Sequence, residues 1–365
     1  MKKVGFLCLN TLAHALHIAS IAFYLSVEKK YIVTFYVSTE KLKSELENYS
    51  ENFPENNVVI KFLYPSVLHR FLRLFKRRLH PRVRNVISNN IKTLLHNDAI
   101  VMTDKHMLEY KSSDHPVYIG AGHGAGDRAC GFTGTYKNYD YILISGQAKW
   151  NRMKKNKLIT NNTGKLIGYP KFDIAFKSDP ELFFDNNNPV VLYNPHFNNK
   201  ETSWFKWGYK ILEYFLNNPE FNLIFAPHIM LFKNNNTLKS KYFNAENIHI
   251  DINSKNLSNM AYTKSADIYL GDVSSQVYEF VAYKRRPCIF LNTHKKIWQN
   301  NDNFRMWNMG IVIDDINGLD FGLSEAQKKF ETFKEIQKKL RDRTFSFLSE
   351  PAGLRAARAI MDILD

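Results

Sequence analysis

The sequence predicts an α/β protein of two Rossmann-like domains, each a doubly wound parallel sheet, facing each other across a cleft. Two observations lead to this prediction: the length of the chain and the alternation of strand patterns with helix patterns along it. The 365 residues suit two domains, because one α/β domain commonly has roughly 100–200 residues. The hydrophobic fraction of 44% is typical of globular proteins and argues against a disordered or fibrous chain.

Short apolar and β-branched runs mark the strands, and the segments between them have helical spacing. The strands predicted in the first half are 4–9, 31–37, 58–63, 99–102, 117–119 and 141–144, with a helix at 14–28. Those predicted in the second half are 190–193, 222–225, 248–250, 267–270, 288–291 and 311–313. Helices fit there at 204–217, 257–264, 275–283 and 324–348. Strands that alternate with helices in this way predict parallel βαβ units.

The pattern breaks once near the middle of the chain. Glycine and proline interrupt the periodicity at 168–173, and an Asn-rich stretch follows at 185–188. We therefore predict domains at 1–170 and 171–350, and a C-terminal helix at 351–365 that packs back toward the first domain.

The chain is basic, with 50 Lys and Arg against 35 Asp and Glu and a net charge of +15. Such an excess favours polyanionic partners: nucleic acid, anionic lipid or a phosphate-rich substrate. Residues 68–84 concentrate basic side chains among Leu, Phe and Val, which is typical of a segment resting on an anionic membrane surface and equally of a solvated basic helix. No nucleic-acid-binding motif is recognisable, so we expect no nucleic-acid partner.

Other features bound the compartment and the chemistry. Cys8, Cys130 and Cys288 lack CxxC spacing, which argues against disulfides and a zinc site. No run of ~20 apolar residues could span a bilayer. We predict a cytoplasmic protein, with peripheral attachment to the inner face of the membrane through 68–84 as an option. P-loop, HExxH, GxSxG and DxD motifs are all missing from the sequence, so we expect chemistry without a metal or cofactor.

The strongest local pattern is a strand that leads into a polar turn and a helix, from Asp267 to Phe280. Asp272 or Ser274 could cap that helix. The N–H groups around Ser275 and Gln276 would then face outward at the positive end of the helix dipole, where a phosphate binds well. A structural cap without any ligand is the alternative.

Histidines follow predicted strands at three places. His228 follows Pro227 after one strand, and a similar Pro-His pair at 195–196 ends the strand before it. A histidine at that edge can donate a hydrogen bond to a leaving phosphate, although a structural role is common. His123 stands in a Gly-rich turn whose spacing differs from the dinucleotide fingerprint. There it could act as a general base toward an acceptor hydroxyl.

Taken in order, these segments resemble the CDP-glycerol glycerophosphotransferase family, the teichoic-acid primases and polymerases of GT-B architecture. The matching motifs are His123-Gly124, YDYILISG at 139–146, GYPKFD at 168–173, Pro227-His228 and DVSSQVYEF at 272–280. Their order and spacing agree over about residues 115–295. This sequence departs from the family at Ile229, where a proline is usual, and at Gly122, where a tryptophan is usual.

The resemblance implies a transferase that moves a glycerol-phosphate, polyol-phosphate or sugar unit from a nucleotide-activated donor to a glycan or lipid-linked acceptor, in teichoic-acid or capsule synthesis for the cell envelope. CDP-glycerol is the favoured donor, and a CMP- or UDP-sugar remains the alternative. Residues 1–170 would bind the acceptor and residues 171–350 the donor nucleotide.

The resemblance also implies roles for single residues. His123 is the candidate base, and His228 is the candidate for the leaving phosphate. The candidate residues for donor binding are His228, Asp272, Ser274, Ser275, Gln276 and Glu279. Gln276 is included because of its place at the start of the predicted helix. The acceptor-side candidates are Gly122, Gly124, Asp127 and, from the start of the first helix, His14.

Two other classes of protein stay open. A non-hydrolysing sugar-nucleotide epimerase would share the two-domain architecture, although the carboxylates it needs for proton abstraction are not evident in the sequence. A basic nucleic-acid-binding protein would account for the net charge.

Overall fold

The structure, a computed structural model, describes residues 1–66, 83–125, 132–232 and 238–365. The chain divides into two compact units. Unit 1 comprises Met1–His123, Phe132–Lys177 and Phe345–Asp365. Unit 2 comprises Ser178–Thr344 together with Gly124 and Ala125.

Unit 1 is built on a parallel sheet of seven strands. They are β1 (Lys2–Leu7), β2 (Tyr31–Val37), β3 (Val59–Phe62), β4 (Ala99–Met102), β5 (Val117–Ala121), β6 (Tyr141–Ile144) and β7 (Gly164–Leu166). Their order is β3-β2-β1-β4-β5-β6-β7. The winding therefore reverses between β1 and β4, and ligands of doubly wound sheets bind at such a reversal, beyond the carboxyl ends of the strands.

Helices cover both faces of this sheet. Those described in unit 1 before its C-terminal segment are α1 (Leu12–Ala15), α2 (Ala19–Leu25), α3 (Glu40–Ser50), α4 (Val83–Asn89), α5 (Ile91–Leu95), α6 (Gln147–Lys155) and α7 (Lys171–Ala175). All four residues of β4 are fully buried. A strand buried on both faces must be apolar at every position, and for this reason AIVM reads as an unbroken apolar run.

Unit 2 repeats the arrangement with six parallel strands. They are β8 (Val190–Asn194), β9 (Asn222–Phe225), β10 (Ile248–Ile250), β11 (Ile268–Gly271), β12 (Cys288–Leu291) and β13 (Ile311–Ile313). The order is β10-β9-β8-β11-β12-β13, so the winding reverses between β8 and β11. Its α-helices are α8 (Trp204–Asn217), α9 (Ser240–Phe243), α10 (Ala261–Ser265), α11 (Gln276–Tyr283), α12 (Leu319–Lys328) and α13 (Phe330–Thr344).

The last helix, α14 (Ala352–Leu364), belongs to unit 1 and packs against α2. The Asp173 carboxylate accepts the main-chain N–H groups of Ala352 at 2.9 Å and Gly353 at 2.6 Å, so it caps the positive end of α14. Gly168 has a φ of +92°, and a Cβ there would lie 2.8 Å from the carbonyl oxygen of Ser346. The GYPKFD segment thus holds α14 on unit 1, and its glycine is required both by its backbone angle and by the close approach.

The two doubly wound parallel sheets confirm the predicted fold class. The structure reproduces the strands predicted at 31–37, 99–102, 141–144, 222–225, 248–250, 288–291 and 311–313, and the helix at 204–217. Two single-helix predictions were wrong. The segment 324–348 contains parts of α12 and α13, which are separated at Lys329, and 14–28 is interrupted between α1 and α2. Neither break contains Gly or Pro, so no local signal marks it.

Several predictions lie outside the described residues. The basic segment 68–84 is described only at Val83 and Arg84, and Asp127 and Cys130 are not described. Cys8 and Cys288 are buried free thiols. Among the helices described, none combines the length and the apolar character needed to cross a membrane.

Candidate functional site

Each unit gathers polar side chains beyond the carboxyl ends of its own strands. In unit 2, β8 leads to His196, β9 leads to His228 and β11 leads to Asp272. These three strands are neighbours in the sheet, so its winding reversal brings together side chains that are far apart in sequence.

Asp272 is at the centre of this group and is 1% exposed. Its Oδ1 accepts the main-chain N–H groups of His196 at 2.9 Å and Val273 at 2.7 Å. Its Oδ2 accepts the main-chain N–H of Ser203 at 2.7 Å and the hydroxyl of the same residue at 2.8 Å. Burial raises the pKa of Asp272, and these donors oppose the rise. Asp272 therefore fastens the His196 turn and the start of α8 to β11, while its predicted role toward the donor stays a prediction.

The imidazole of His228 lies 5.6 Å from that of His196, centroid to centroid. Its Nδ1 accepts the main-chain N–H of Met230 at 3.2 Å, so in the neutral ring the proton is on Nε2. Burial lowers the pKa of His228, which favours this neutral form. Within the described part of the chain, Nε2 has no hydrogen-bond acceptor, so it could donate to a ligand.

His196, which the sequence reasoning mentioned only as a parallel to His228, belongs to the same group. Its Nδ1 accepts the main-chain N–H of Asn198 at 3.2 Å and lies 3.4 Å from the Glu201 carboxylate. The Phe197 ring lies 4.5 Å from both imidazoles, centroid to centroid. The two Pro-His turns therefore form one aromatic patch at the strand ends of unit 2.

The start of α11 follows directly after Asp272. Ser274 is buried and its Oγ accepts the main-chain N–H of Gln276 at 3.3 Å, so it stabilises the turn that opens the helix, whose N-cap residue is Ser275. Ser275 and Gln276 are half-buried, and their polar groups remain accessible at the positive end of the helix. Glu279 is 6% exposed on the buried side of α11. Of the residues predicted here, Ser275 and Gln276 are the ones best placed to contact a ligand.

In unit 1, His123 follows β5 and keeps an exposed side. The ring hydrogen-bonds to the carbonyl of Thr103, just beyond β4. Protein packed around the ring lowers the pKa of His123, the charge of Lys149 lowers it further, and the Thr103 carbonyl and the Asp104 carboxylate oppose this. The net effect keeps His123 neutral at pH 7 with one nitrogen able to accept a proton.

His14 lies edge-on to His123 with ring centroids 4.2 Å apart, and its role as an acceptor-side residue stays a prediction. Its Nδ1 lies 3.2 Å from the hydroxyl of Thr11. Burial, together with the His123 charge, lowers the pKa of His14 to about 4. His17 is 5% exposed and packs against Tyr169 at 4.9 Å, centroid to centroid. Burial lowers its pKa well below the usual value, so the three imidazoles are neutral at pH 7.

Gly122 leaves space for a buried lysine. Lys149, on α6, is 5% exposed, and its Nζ lies 2.1 Å from the position that a Cβ on Gly122 would occupy. Burial lowers the pKa of Lys149 to about 8. A side chain at position 122 would displace this ammonium, so the position of Lys149 requires glycine there. Gly124 has a φ of +76°, which glycine adopts without strain.

The charge of Asp104 also acts on His123 and raises its pKa. Its Oδ1 accepts the main-chain N–H of His106 at 2.9 Å, and its Oδ2 accepts the Asn10 amide at 3.3 Å. Burial raises the pKa of Asp104, and the hydrogen bond from His106 and the charges of His106 and His123 oppose it. The sequence reasoning missed Asn10, Asp104 and Lys149. The first two could have been found, because each closely follows a predicted strand, but nothing local marks Lys149.

No cluster of three or more His, Cys, Asp or Glu side chains that could hold a metal ion occurs among the described residues. The polar groups beyond the strands can instead supply a base, hydrogen-bond donors and positive charge.

No protein-family model matches the sequence, and no curated protein sequence matches it. Solved structures match it over its whole length. The wall teichoic acid polymerase TagF superposes with a TM-score of 0.67 and 15% identity, over 100% of this chain and 88% of that one. UDP-GlcNAc 2-epimerase from Neisseria meningitidis, bound to UDP-GlcNAc, gives 0.60 and 16% identity, over 100% and 99% of the two chains. The glycotransferase of kitacinnamycin gives 0.60 and 11% identity, over 100% and 99%.

At 11–16% identity, these similarities carry information about the fold alone. A polymerase, an epimerase and a glycosyltransferase share it, so the fold by itself does not choose among their reactions. The chain has two doubly wound domains of the GT-B type.

Proposed function

We propose that this chain is a metal-independent transferase that moves a glycerol-phosphate, polyol-phosphate or sugar unit from a nucleotide-activated donor, CDP-glycerol being favoured, to a hydroxyl group of a cell-surface glycan or polymer. In this proposal unit 1 binds the acceptor and unit 2 binds the donor nucleotide. The observation that carries it is the environment of His123, an accessible imidazole with a lowered pKa beside the winding reversal of its sheet. A neutral imidazole in such a position suits a general base.

The reaction follows from the groups in each unit. His123 takes the proton of the acceptor hydroxyl while that oxygen forms a bond to the donor phosphorus, or to the anomeric carbon of a sugar donor. The bond from that centre to the leaving oxygen breaks, and CMP or a nucleoside diphosphate leaves with the electron pair. Positioning and electrostatic stabilisation of the leaving phosphate supply most of the rate in such transfers.

Unit 2 offers donors for that leaving phosphate. The Nε2–H of His228, whose orientation is set by the hydrogen bond from Met230 to Nδ1, can point at an anion. The Ser275 hydroxyl and the N–H groups that open α11 add the positive end of a helix. Asp272 and Glu279 support this proposal as residues that position the turn and the helix, through their burial and, for Asp272, its hydrogen bonds.

The ligands named with two structural neighbours indicate which class of ligand to test. One structure of TagF was determined after a soak with CDPG, and the Neisseria epimerase has UDP-GlcNAc bound. A nucleotide-activated donor is therefore the ligand class to test first. The cytoplasmic location, and membrane attachment through 68–84, remain predictions from the sequence.

The donor can be identified by thermal stabilisation with CDP-glycerol, CDP-ribitol, CMP-sugars and UDP-sugars, because a ligand of the folded state raises its stability by mass action. Product analysis with the stabilising donor then tests transfer in wild type, His123→Asn and His228→Asn. His96→Asn is the matched control, since His96 is an exposed histidine of unit 1 outside the proposed site. Wild-type turnover in His123→Asn, with the control also active, would remove the proposed base.

A sugar-nucleotide epimerase is the second candidate, since the similarity to the Neisseria enzyme covers the whole chain. The two reactions differ in their need for an acceptor. An epimerised sugar nucleotide formed without any acceptor would favour this second function, whereas release of CMP or a nucleoside diphosphate only when acceptor is present would favour transfer.

A further inference from the structure

We propose that unit 1 contains an anion-binding site of its own, in which the Lys149 ammonium binds a phosphate or carboxylate group of the ligand that occupies the His123 turn. The site is inferred from the residues of unit 1 alone. Assigning the anionic group to the acceptor rests on the proposed function, whereas the existence of the site does not.

The first argument is the burial of Lys149 without a counterion. The side chain is 5% exposed. Throughout the described residues, no Asp or Glu oxygen lies within 4.0 Å of its Nζ, and no acceptor receives a hydrogen bond from it. Proteins keep a buried charge where a partner compensates the cost of removing it from water. No such partner for Lys149 occurs among the described residues, and a bound anion would supply one.

The second argument is where the ammonium points. Nζ occupies the space that a side chain at position 122 would need, with only 2.1 Å to the missing Cβ. It therefore faces the main chain of the turn that presents His123. The absence of a side chain there lets the backbone and the ammonium approach a ligand together.

The third argument is the charge around the ammonium. The positive charge of Lys149 lowers the pKa of His123 and of the buried His17. Among the described residues, no acidic side chain shifts the pKa of Lys149 itself, whereas Asp104 interacts with His123 and His106. The positive charge of Lys149 beside His123 therefore attracts an anion.

Such a site explains how a base and an acceptor could meet. An anionic group held by Lys149 would place its carrier next to the imidazole of His123, so that a neighbouring hydroxyl could give up its proton there. The bound anion would also offset the lysine charge that lowers the pKa of His123.

The test uses inorganic phosphate and the full-length protein, without donor or turnover. Selective labelling of histidine Cε1 allows the His123 resonance to be assigned by its loss in His123→Asn and followed by NMR. We expect saturable phosphate binding at pH 7 that shifts this resonance and raises the pKa of His123. Sodium chloride at the same ionic strength should produce neither effect. Reading the site at His123 separates it from any phosphate bound by unit 2.

Two variants and a control decide the outcome. Lys149→Met removes the ammonium and should weaken phosphate binding by about tenfold or more, while Gly122→Ala should have the same effect by displacing it. Lys155→Met, an exposed lysine on the same helix, makes the same change in net charge and should bind like wild type. An unresponsive His123 in the wild type, or equal responses in Lys149→Met and wild type, would overturn the proposal.

A parallel titration with glucuronate decides which oxyanion the site prefers. Tighter binding of phosphate would indicate that the natural ligand carries a phosphate group. Tighter binding of glucuronate would indicate a carboxylate. Because no donor is present, the anion site can be confirmed even if transferase activity is never found. If Lys149→Met were as active as wild type, the proposed transferase function would stand, but this anion site would not be part of its acceptor binding.

Discussion

Replacing Lys149 with methionine should stabilise the ligand-free protein at neutral pH. The pKa of Lys149 falls from 10.5 to about 8 on burial, and a difference of one pKa unit corresponds to about 1.4 kcal/mol. The charged lysine therefore costs the folded state about 3 kcal/mol at pH 7. Methionine fills a similar volume and carries no charge, so Lys149→Met recovers most of this cost.

The sign of the pH dependence follows from the same values. Below pH 8 the lysine is protonated in both folded and unfolded chains, and the full cost is present. Between pH 8 and 10.5 the folded protein has released the proton and the unfolded chain still holds it, so wild-type stability rises with pH. The advantage of Lys149→Met should thus shrink from about 3 kcal/mol at pH 7 to about 1 kcal/mol at pH 10.

Urea unfolding followed by fluorine NMR of fluorotryptophan measures the free energy of unfolding of unit 1 separately. Trp150 is the one tryptophan of unit 1, and the other four lie at 204, 207, 298 and 307 in unit 2. The control variant Lys155→Met, on the same helix, should differ little from wild type in its free energy of unfolding at either pH. The reasoning is refuted if Lys149→Met is less stable than wild type at pH 7, or if the difference between the two proteins is the same at pH 7 and pH 10.

Three further changes have expected outcomes. His123→Asn should lower turnover by ~10²–10³ with unchanged unfolding. Because burial lowers the pKa of His123, the acid limb of the wild-type kcat/KM profile should lie below the pH at which a free imidazole titrates, and an acid limb that survives in the variant would assign the base elsewhere. Asp272→Ala should destabilise unit 2 by about 3 kcal/mol, because the buried donors of His196 and Ser203 lose their acceptor. Unchanged urea unfolding would contradict this. Gly168→Ala should cost about 1–3 kcal/mol through its positive φ and speed hydrogen exchange in α14, and wild-type exchange would show that the turn does not hold that helix.

Much of the fold could be read from local patterns. The runs YIVTFYV and NLIF coincide with β2 and β9, because β-branched, aromatic and other apolar residues suit the pleated backbone of a strand in a sheet. The edge strand β7 is only three residues, GKL, and was missed because so short a run has no period. The break between α12 and α13 lies in a polar stretch without Gly or Pro and was missed for lack of a local signal.

The candidate sites could be predicted only in part. His123, His228 and the start of α11 stand out because each follows a strand, and parallel strands present their carboxyl ends on one edge. The partners of these residues did not stand out. Asp272 reads as a possible cap of its own helix, yet its carboxylate accepts N–H groups from His196 and Ser203, 76 and 69 residues earlier in the chain.

The amino-acid sequence alone determined that this protein has two doubly wound parallel sheets, and it marked the turns after their strands, because hydrophobic periodicity and turn chemistry act over a few residues. Tertiary structure decided which polar groups meet. The strand orders β3-β2-β1-β4-β5-β6-β7 and β10-β9-β8-β11-β12-β13 place Asn10 against Asp104, and packing of α6 directs Lys149 at Gly122. The burial that lowers the pKa of that lysine arises only when distant segments pack together, so no local pattern in the sequence indicates it.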